Sequence, residues 1–99
     1  MKPVISKGRI FRFQLYVAGE GPNSLQAITN LNRLCKAHLP GRNTVEIVDV
    51  FRHPDRALKD GIFMTPTLVK LGPLPLRRIV GSLSDTQAVL QAIGLESAP

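Results

Sequence analysis

The sequence has one cysteine, two histidines, no tryptophan and only five aromatic residues, and its acids are outnumbered by bases 13 to 7. Each scarcity closes a class of function. The lone thiol, Cys35, forms no intramolecular disulfide and no Cys-x-x-Cys redox pair. Cys35, His38, His53 and an acid offer no spacing from which three or four ligands converge on zinc. The seven acids form no close pair for general acid–base work, and no serine sits in a nucleophile elbow beside a base. No long apolar run follows Met1-Lys2-Pro3, so neither a secretory leader nor a membrane span is expected. With a single free thiol, the chain reads as cytoplasmic. No enzyme, metal protein or cofactor carrier emerges, which leaves a chain that works by binding.

What is present begins with charge. The formal net charge is +6, which suits either nucleic acid or an acidic protein. Lys2, Lys7, Arg9 and Arg12 crowd the start, whereas residues 79–99 hold no Lys or Arg. No run of bases exceeds Arg77-Arg78, and five aromatics are few for stacking on bases. An acidic protein partner is therefore favoured over nucleic acid.

The 99 residues suffice for one domain with its own core, expected to span 1–99 with flexible ends at 1–9 and 96–99. Residues 10–18 alternate, with Phe11, Phe13, Leu15 and Val17 on one face and Arg12, Gln14 and Tyr16 on the other, which predicts a strand. Gly19-Glu20-Gly21-Pro22 breaks it. Asn23 or Ser24 is placed to cap a helix with an apolar stripe of Ala27, Ile28, Leu31, Leu34, Cys35, His38 and Leu39, ended by Pro40-Gly41. A second strand is predicted over Thr44–Phe51, then a short helix from Pro54 that stops at Gly61. Thr67–Leu71 and Leu76–Val80 read as a hairpin turned by Gly72-Pro73-Leu74-Pro75. Ser84 and Gln87 form a capping-box pattern before a last helix that Gly94 ends.

The order β-α-β-α-β-β-α is that of a thioredoxin-type α/β domain, a mixed four-stranded sheet with helices on both faces. The redox position in such a domain, at the start of the first helix, here reads Gly19-Glu20-Gly21-Pro22-Asn23-Ser24 and carries no sulfur. Cys35 falls three turns further on, on the apolar stripe, as a buried structural cysteine. Thr65-Pro66-Thr67, just before the third strand, is the place of a cis-proline facing that position, so Pro66 is a candidate cis-proline. Gly19-x-Gly21-x-x-Ser24 sits where a dinucleotide fingerprint would, with Asp49 mimicking the ribose-binding acid. The third glycine is missing, however, and Pro22 removes an N–H that would face phosphate.

Taken in order, Leu15-Tyr16-Val17-Ala18-Gly19, Pro22-Asn23-Ser24, Val48-Asp49-Val50, Thr65-Pro66-Thr67-Leu68 and Arg77-Arg78-Ile79-Val80-Gly81 resemble the KaiB family, from about Phe11 to Leu95. The resemblance implies a regulator that binds the RecA-like ATPase KaiC, and that in cyanobacteria belongs to the circadian oscillator. It implies self-association as a dimer or tetramer, and a fold switch between a resting KaiB arrangement of the residues after about 51 and a thioredoxin-like monomer. The segment after Phe51 suits this, since Gly61, Gly72, Gly81 and Gly94 with Pro54, Pro66, Pro73 and Pro75 keep its elements short, and two packings could differ by a few kcal/mol. Two departures from the clock members stand out: Ser82 replaces a common Asp, and the chain stops at Glu96-Ser97-Ala98-Pro99 without an acidic tail. Both weaken the expectation of a KaiA dependence and bring stress adaptation forward as a setting.

The expected surface has two parts. One is the start of the first helix with its preceding loop, including Glu20 and Asn23, together with Tyr16 on the polar strand face. The other is the basic cluster of Lys70, Arg77 and Arg78 on the late strands, where arginine gives bidentate contacts to carboxylates. The rival readings are a sensor or interaction domain acting on a histidine kinase and a thioredoxin-like redox protein. Neither nucleic acid nor membrane is expected as a partner.

Overall fold

The structure, a computed structural model, describes residues 9–95; the flexible ends expected at 1–9 and 96–99 lie outside the described residues except for Arg9. Seven elements follow in the expected order: β1 (Phe11–Val17), α1 (Pro22–His38), β2 (Asn43–Asp49), α2 (Pro54–Lys59), β3 (Thr67–Gly72), β4 (Arg77–Val80) and α3 (Thr86–Ile93). The strands form one sheet in the order β2-β1-β3-β4. β1 and β2 are parallel, as a βαβ crossover requires, and β3 is antiparallel to both β1 and β4. The fold is thioredoxin-like.

The period of two in β1 divides the interior into two cores. Phe11, Phe13, Leu15 and Val17 point to the face covered by α1 and α3, where they meet Ala27, Leu31, Leu34, Cys35, Leu39, Val89, Leu90 and Ile93. Replacing a side chain as buried as Leu31 (1% exposed) by alanine should cost about 2–5 kcal/mol. The opposite face is thinner. There α2, six residues long, covers Tyr16, Val48 and Val69 with Ala57, and Ile62 closes the edge.

Local chemistry explains the element ends, with two corrections. The N-cap of α1 is Gly21, not Asn23 or Ser24. Pro22 occupies the first helical position and holds the residue before it extended, at φ −61 and ψ 159. Ser24 is buried instead, and its Oγ accepts from the Ala18 amide at 3.1 Å, which pins the loop to the helix. The N-cap of α3 is Asp85, not Ser84: its carboxylate accepts from Ala88 N at 3.2 Å, so the helix starts one residue later than the capping-box pattern implies. Gly94 ends α3 in the left-handed region, φ 87. His38 is exposed rather than part of the buried stripe of α1.

Candidate protein-binding surface

The loop after β1 and the Thr65–Pro66 bond, which is cis, lie at the same end of the sheet, because Tyr16 pairs with Thr67. Asp49 at the end of β2 braces this end. Its Oδ1 accepts from Gly19 N (3.1 Å) and Phe51 N (3.0 Å), and these two amides hold its carboxyl below the usual range. The acid in the dinucleotide-like position thus serves the protein's own backbone. Gly19 has φ +60, the left-handed region that favours glycine, and a Cβ there would just touch the Phe51 ring, at 3.4 Å. No cysteine lies here. Cys35 is buried within α1, and burial pushes its thiol up to about 11.

Beside this loop lies an apolar groove. Phe51, Leu58, Phe63 and Met64 are 73%, 76%, 88% and 60% exposed. With Ala18, Val50 and Ile62 they line a depression of about 590 Å³. A second hollow of about 160 Å³ adjoins it, sharing Ile62, Phe63 and Met64 and reaching Thr67, Arg78 and Val80. Thr67 Oγ1 donates to Met64 O at 2.6 Å and orders the segment that displays Phe63 and Met64. Large apolar side chains grouped in the open, with polar neighbours at the rim, are the physical mark of a protein-binding surface.

The sequence-predicted residues divide around this groove. Glu20 and Asn23 are exposed at the same end of the sheet. Arg78 borders the second hollow, and its guanidinium donates to the carbonyls of Asp60 and Gly61 (3.0 Å for the latter), closing the end of α2. Arg77 is exposed but pairs with Lys70, towards the other end of the sheet and on its other face. Two expected surface residues are buried. Tyr16 is 0% exposed beneath α2 and donates to Asp60, so the polar face of β1 is interior at Tyr16, while Gln14 is half-buried and Arg12 stays exposed. Burial, and then Asp60, pushes its phenol up to about 12. Lys70 is 4% exposed, with its Nζ donating to Ile93 O at 3.2 Å and lying 5.8 Å above the Phe11 ring. Burial, then Arg77 and Arg9, lowers its pKa. Phe51, Phe63 and Met64 were not among the predicted residues. The available signal was Phe63-Met64 before Pro66, two large apolar residues that no strand or helix period absorbs.

Among the described residues no group of three His, Cys, Asp or Glu side chains is placed to hold a metal ion. No helix among them is long and apolar enough to cross a membrane.

Fold and site together define a thioredoxin-like α/β domain whose redox position is free of cysteine and bordered by exposed apolar side chains. Two solved structures share the fold: chloroplastic thioredoxin z, at TM-score 0.73 and 21% identity over 93% of this chain and 83% of that one; and the N-terminal domain of Synechococcus elongatus SasA, at TM-score 0.71 and 20% identity over 92% and 90%. A family model described as the KaiB domain matches residues 14–95, and the chain belongs to the KaiB family. It is 44% identical over 86 residues to the circadian clock protein KaiB3 of Synechocystis, covering 87% of this chain and 82% of that protein. It is 41% identical over 92 residues to the circadian clock oscillator protein KaiB of Synechococcus elongatus, covering 93% and 88%.

Proposed function

We propose that the chain is a cytoplasmic regulator that performs no chemistry of its own, binds a KaiC-type RecA-like ATPase and biases its state, in clock or stress-adaptation signalling. The observation that carries this reading is the open apolar groove of Phe51, Leu58, Phe63 and Met64 at the cysteine-free redox position of a KaiB-family chain. Phe63 and Met64 supply buried area on docking, while Arg78 beside the second hollow, and Glu20 and Asn23 at the same end of the sheet, supply polar selectivity. Self-association as a dimer or tetramer through the same exposed side chains fits this reading, with the ATPase competing for them.

The test is size-exclusion chromatography of the chain with the KaiC-type ATPase of its own organism, with ATP, with ADP and without nucleotide. A complex whose yield depends on nucleotide and is lost with Phe63→Asp supports the reading. No complex under any of the three conditions after hours of incubation, or one indifferent to Phe63→Asp, overturns it.

A further inference from the structure

The strand directions sort the charges of the described residues. The end of the sheet where β1 and β2 begin, and where α1 and α3 finish, carries Arg9, Arg12, Arg33, Lys36, Arg42 and Arg77 together with the buried Lys70. No described carboxylate lies there. Glu20, Asp49, Asp55 and Asp85 all sit in a loop, at a strand end or at a helix start at the opposite end, while Glu46 lies midway along β2, paired with Arg56, and Asp60 caps the end of α2.

The fold accounts for only part of this charge. Lys36 stands in the last turn of α1, where the helix dipole favours a cation, and Lys70 satisfies the last carbonyl of α3. The ion pairs among the described residues, Arg52–Asp49 and Arg56–Glu46, both lie elsewhere. Bringing the remaining like charges together costs folding energy by mutual repulsion. An anionic partner relieves that cost.

The basic end also has shape. Between the last turns of α1 and the Pro40–Asn43 turn runs a groove of about 580 Å³, lined by Thr29, Asn32, Arg33, Lys36, Gly41 and Asn43. Its two cations suit carboxylates. Its carboxamides and hydroxyl suit the N–H and C=O groups of an extended backbone. Bases would find no stacking partner: Phe11, Phe13 and Tyr16 are buried, and the exposed Phe51 and Phe63 lie by the apolar groove at the other end.

We propose that the basic end of the sheet, centred on the groove of Arg33 and Lys36, is a second interaction surface that takes an acidic polypeptide segment. It is separate from the apolar groove, so one partner can hold both ends of the domain or two partners can hold one each.

The probe is a fluorescein-labelled peptide of ten glutamates, followed by anisotropy at rising salt. We expect binding that weakens with salt and falls by about tenfold or more in R33E/K36E, while Arg52→Glu at the opposite end leaves it within about twofold. On the unaltered chain, titration with the peptide should shift the amide peaks of Asn32, Arg33, Gly41 and Asn43 and leave those of Phe51 and Phe63 in place. This keeps the test decisive if the double variant does not fold. No binding at low salt, equal binding by R33E/K36E, or shifts confined to the apolar groove would overturn the proposal. So would tighter binding of a DNA duplex of the same charge or of phosphatidylglycerol vesicles. None of these outcomes depends on whether the ATPase binds.

Discussion

The Tyr16 hydroxyl donates to the carboxylate of Asp60, 44 residues further along the chain, and so joins β1 to the end of α2. Other polar links hold the same helix. Arg56 grips Glu46 on β2 with two bonds of 2.8 and 3.0 Å, Gln14 Nε2 donates to Glu46 at 3.1 Å, and Arg78 closes the last carbonyls. Within its six residues α2 buries only Ala57, so directed bonds, more than apolar area, keep it on the sheet. The groove-forming Leu58 rides on α2, and Phe51 and Phe63 flank it. The polar links therefore set the shape of the proposed binding surface.

Tyr16→Phe leaves the Asp60 carboxylate without its donor and should destabilise the chain by about 1–3 kcal/mol in urea unfolding. Because the folded-state pKa is raised, to about 12 from 10.0, the stability from this group is fully present below pH 10 and is lost as pH rises through 12. Tyr16 is the only tyrosine, so phenolate absorbance reads this titration without ambiguity. The part of the alkaline loss that follows the phenolate absorbance should be absent in Tyr16→Phe, leaving the part that comes from the raised thiol of Cys35.

Glu46 behaves in the opposite sense. Hydrogen bonds from Arg56, then from Gln14, hold its carboxyl down to about 2. Its contribution is present above the ordinary value of 4.5 and is lost as pH falls from there through about 2. Both partners of the pair are partly open to solvent, at 52% for Glu46 and 34% for Arg56, so screening limits the pair to about 1 kcal/mol or less. Arg56→Gln should lower stability by that amount at neutral pH and by clearly less near pH 2, as measured by urea titrations at both.

Cys35 should be silent as a nucleophile. With its pKa near 11, about one thiol in a thousand is ionised at pH 8, and the side chain is covered as well. Its modification by a thiol reagent should follow the rate of opening and rise sharply in denaturant. Insulin reduction should be absent and unchanged by Cys35→Ser. Rapid native-state modification would contradict this.

The arginines of β4 should separate binding from folding. Arg77 is exposed, so Arg77→Glu should leave urea stability within about 0.5 kcal/mol. Arg78 caps α2, so Arg78→Glu should cost about 1–2 kcal/mol and also weaken ATPase binding. Phe63→Asp, at a side chain 88% exposed, should weaken binding with no loss of stability.

Much of the architecture is legible along the chain because its signals are local. The alternation of Phe11 to Val17 is a property of adjacent residues, and so is the 3.6 spacing of Ala27, Leu31 and Leu34. Pro54 and Gly61 bound α2, and Gly94 ends α3, through the backbone angles these residues alone favour. The cysteine-free redox position is legible for the same reason, since it needs only the order of strand, loop and helix.

Where reading along the chain failed, distant residues decided. Tyr16 alternates as a polar-face residue and is buried, because a helix from residues 54–59 crosses that face and Asp60 meets its hydroxyl. Lys70 looks like a surface base and is buried, because α3 ends above it and offers a carbonyl. The basic end forms because β1 and β2 run parallel while α1 runs back between them, which puts Arg9, Arg33 and Arg42 at one end of the sheet, and the antiparallel pairing of β3 with β1 and β4 puts Arg77 at the same end. By itself the sequence determined the elements, their order and the absence of a redox pair. The tertiary structure decided which polar residues are interior, which apolar ones stay open and where charge accumulates, because burial and electrostatics depend on distance in space, which chain order does not record.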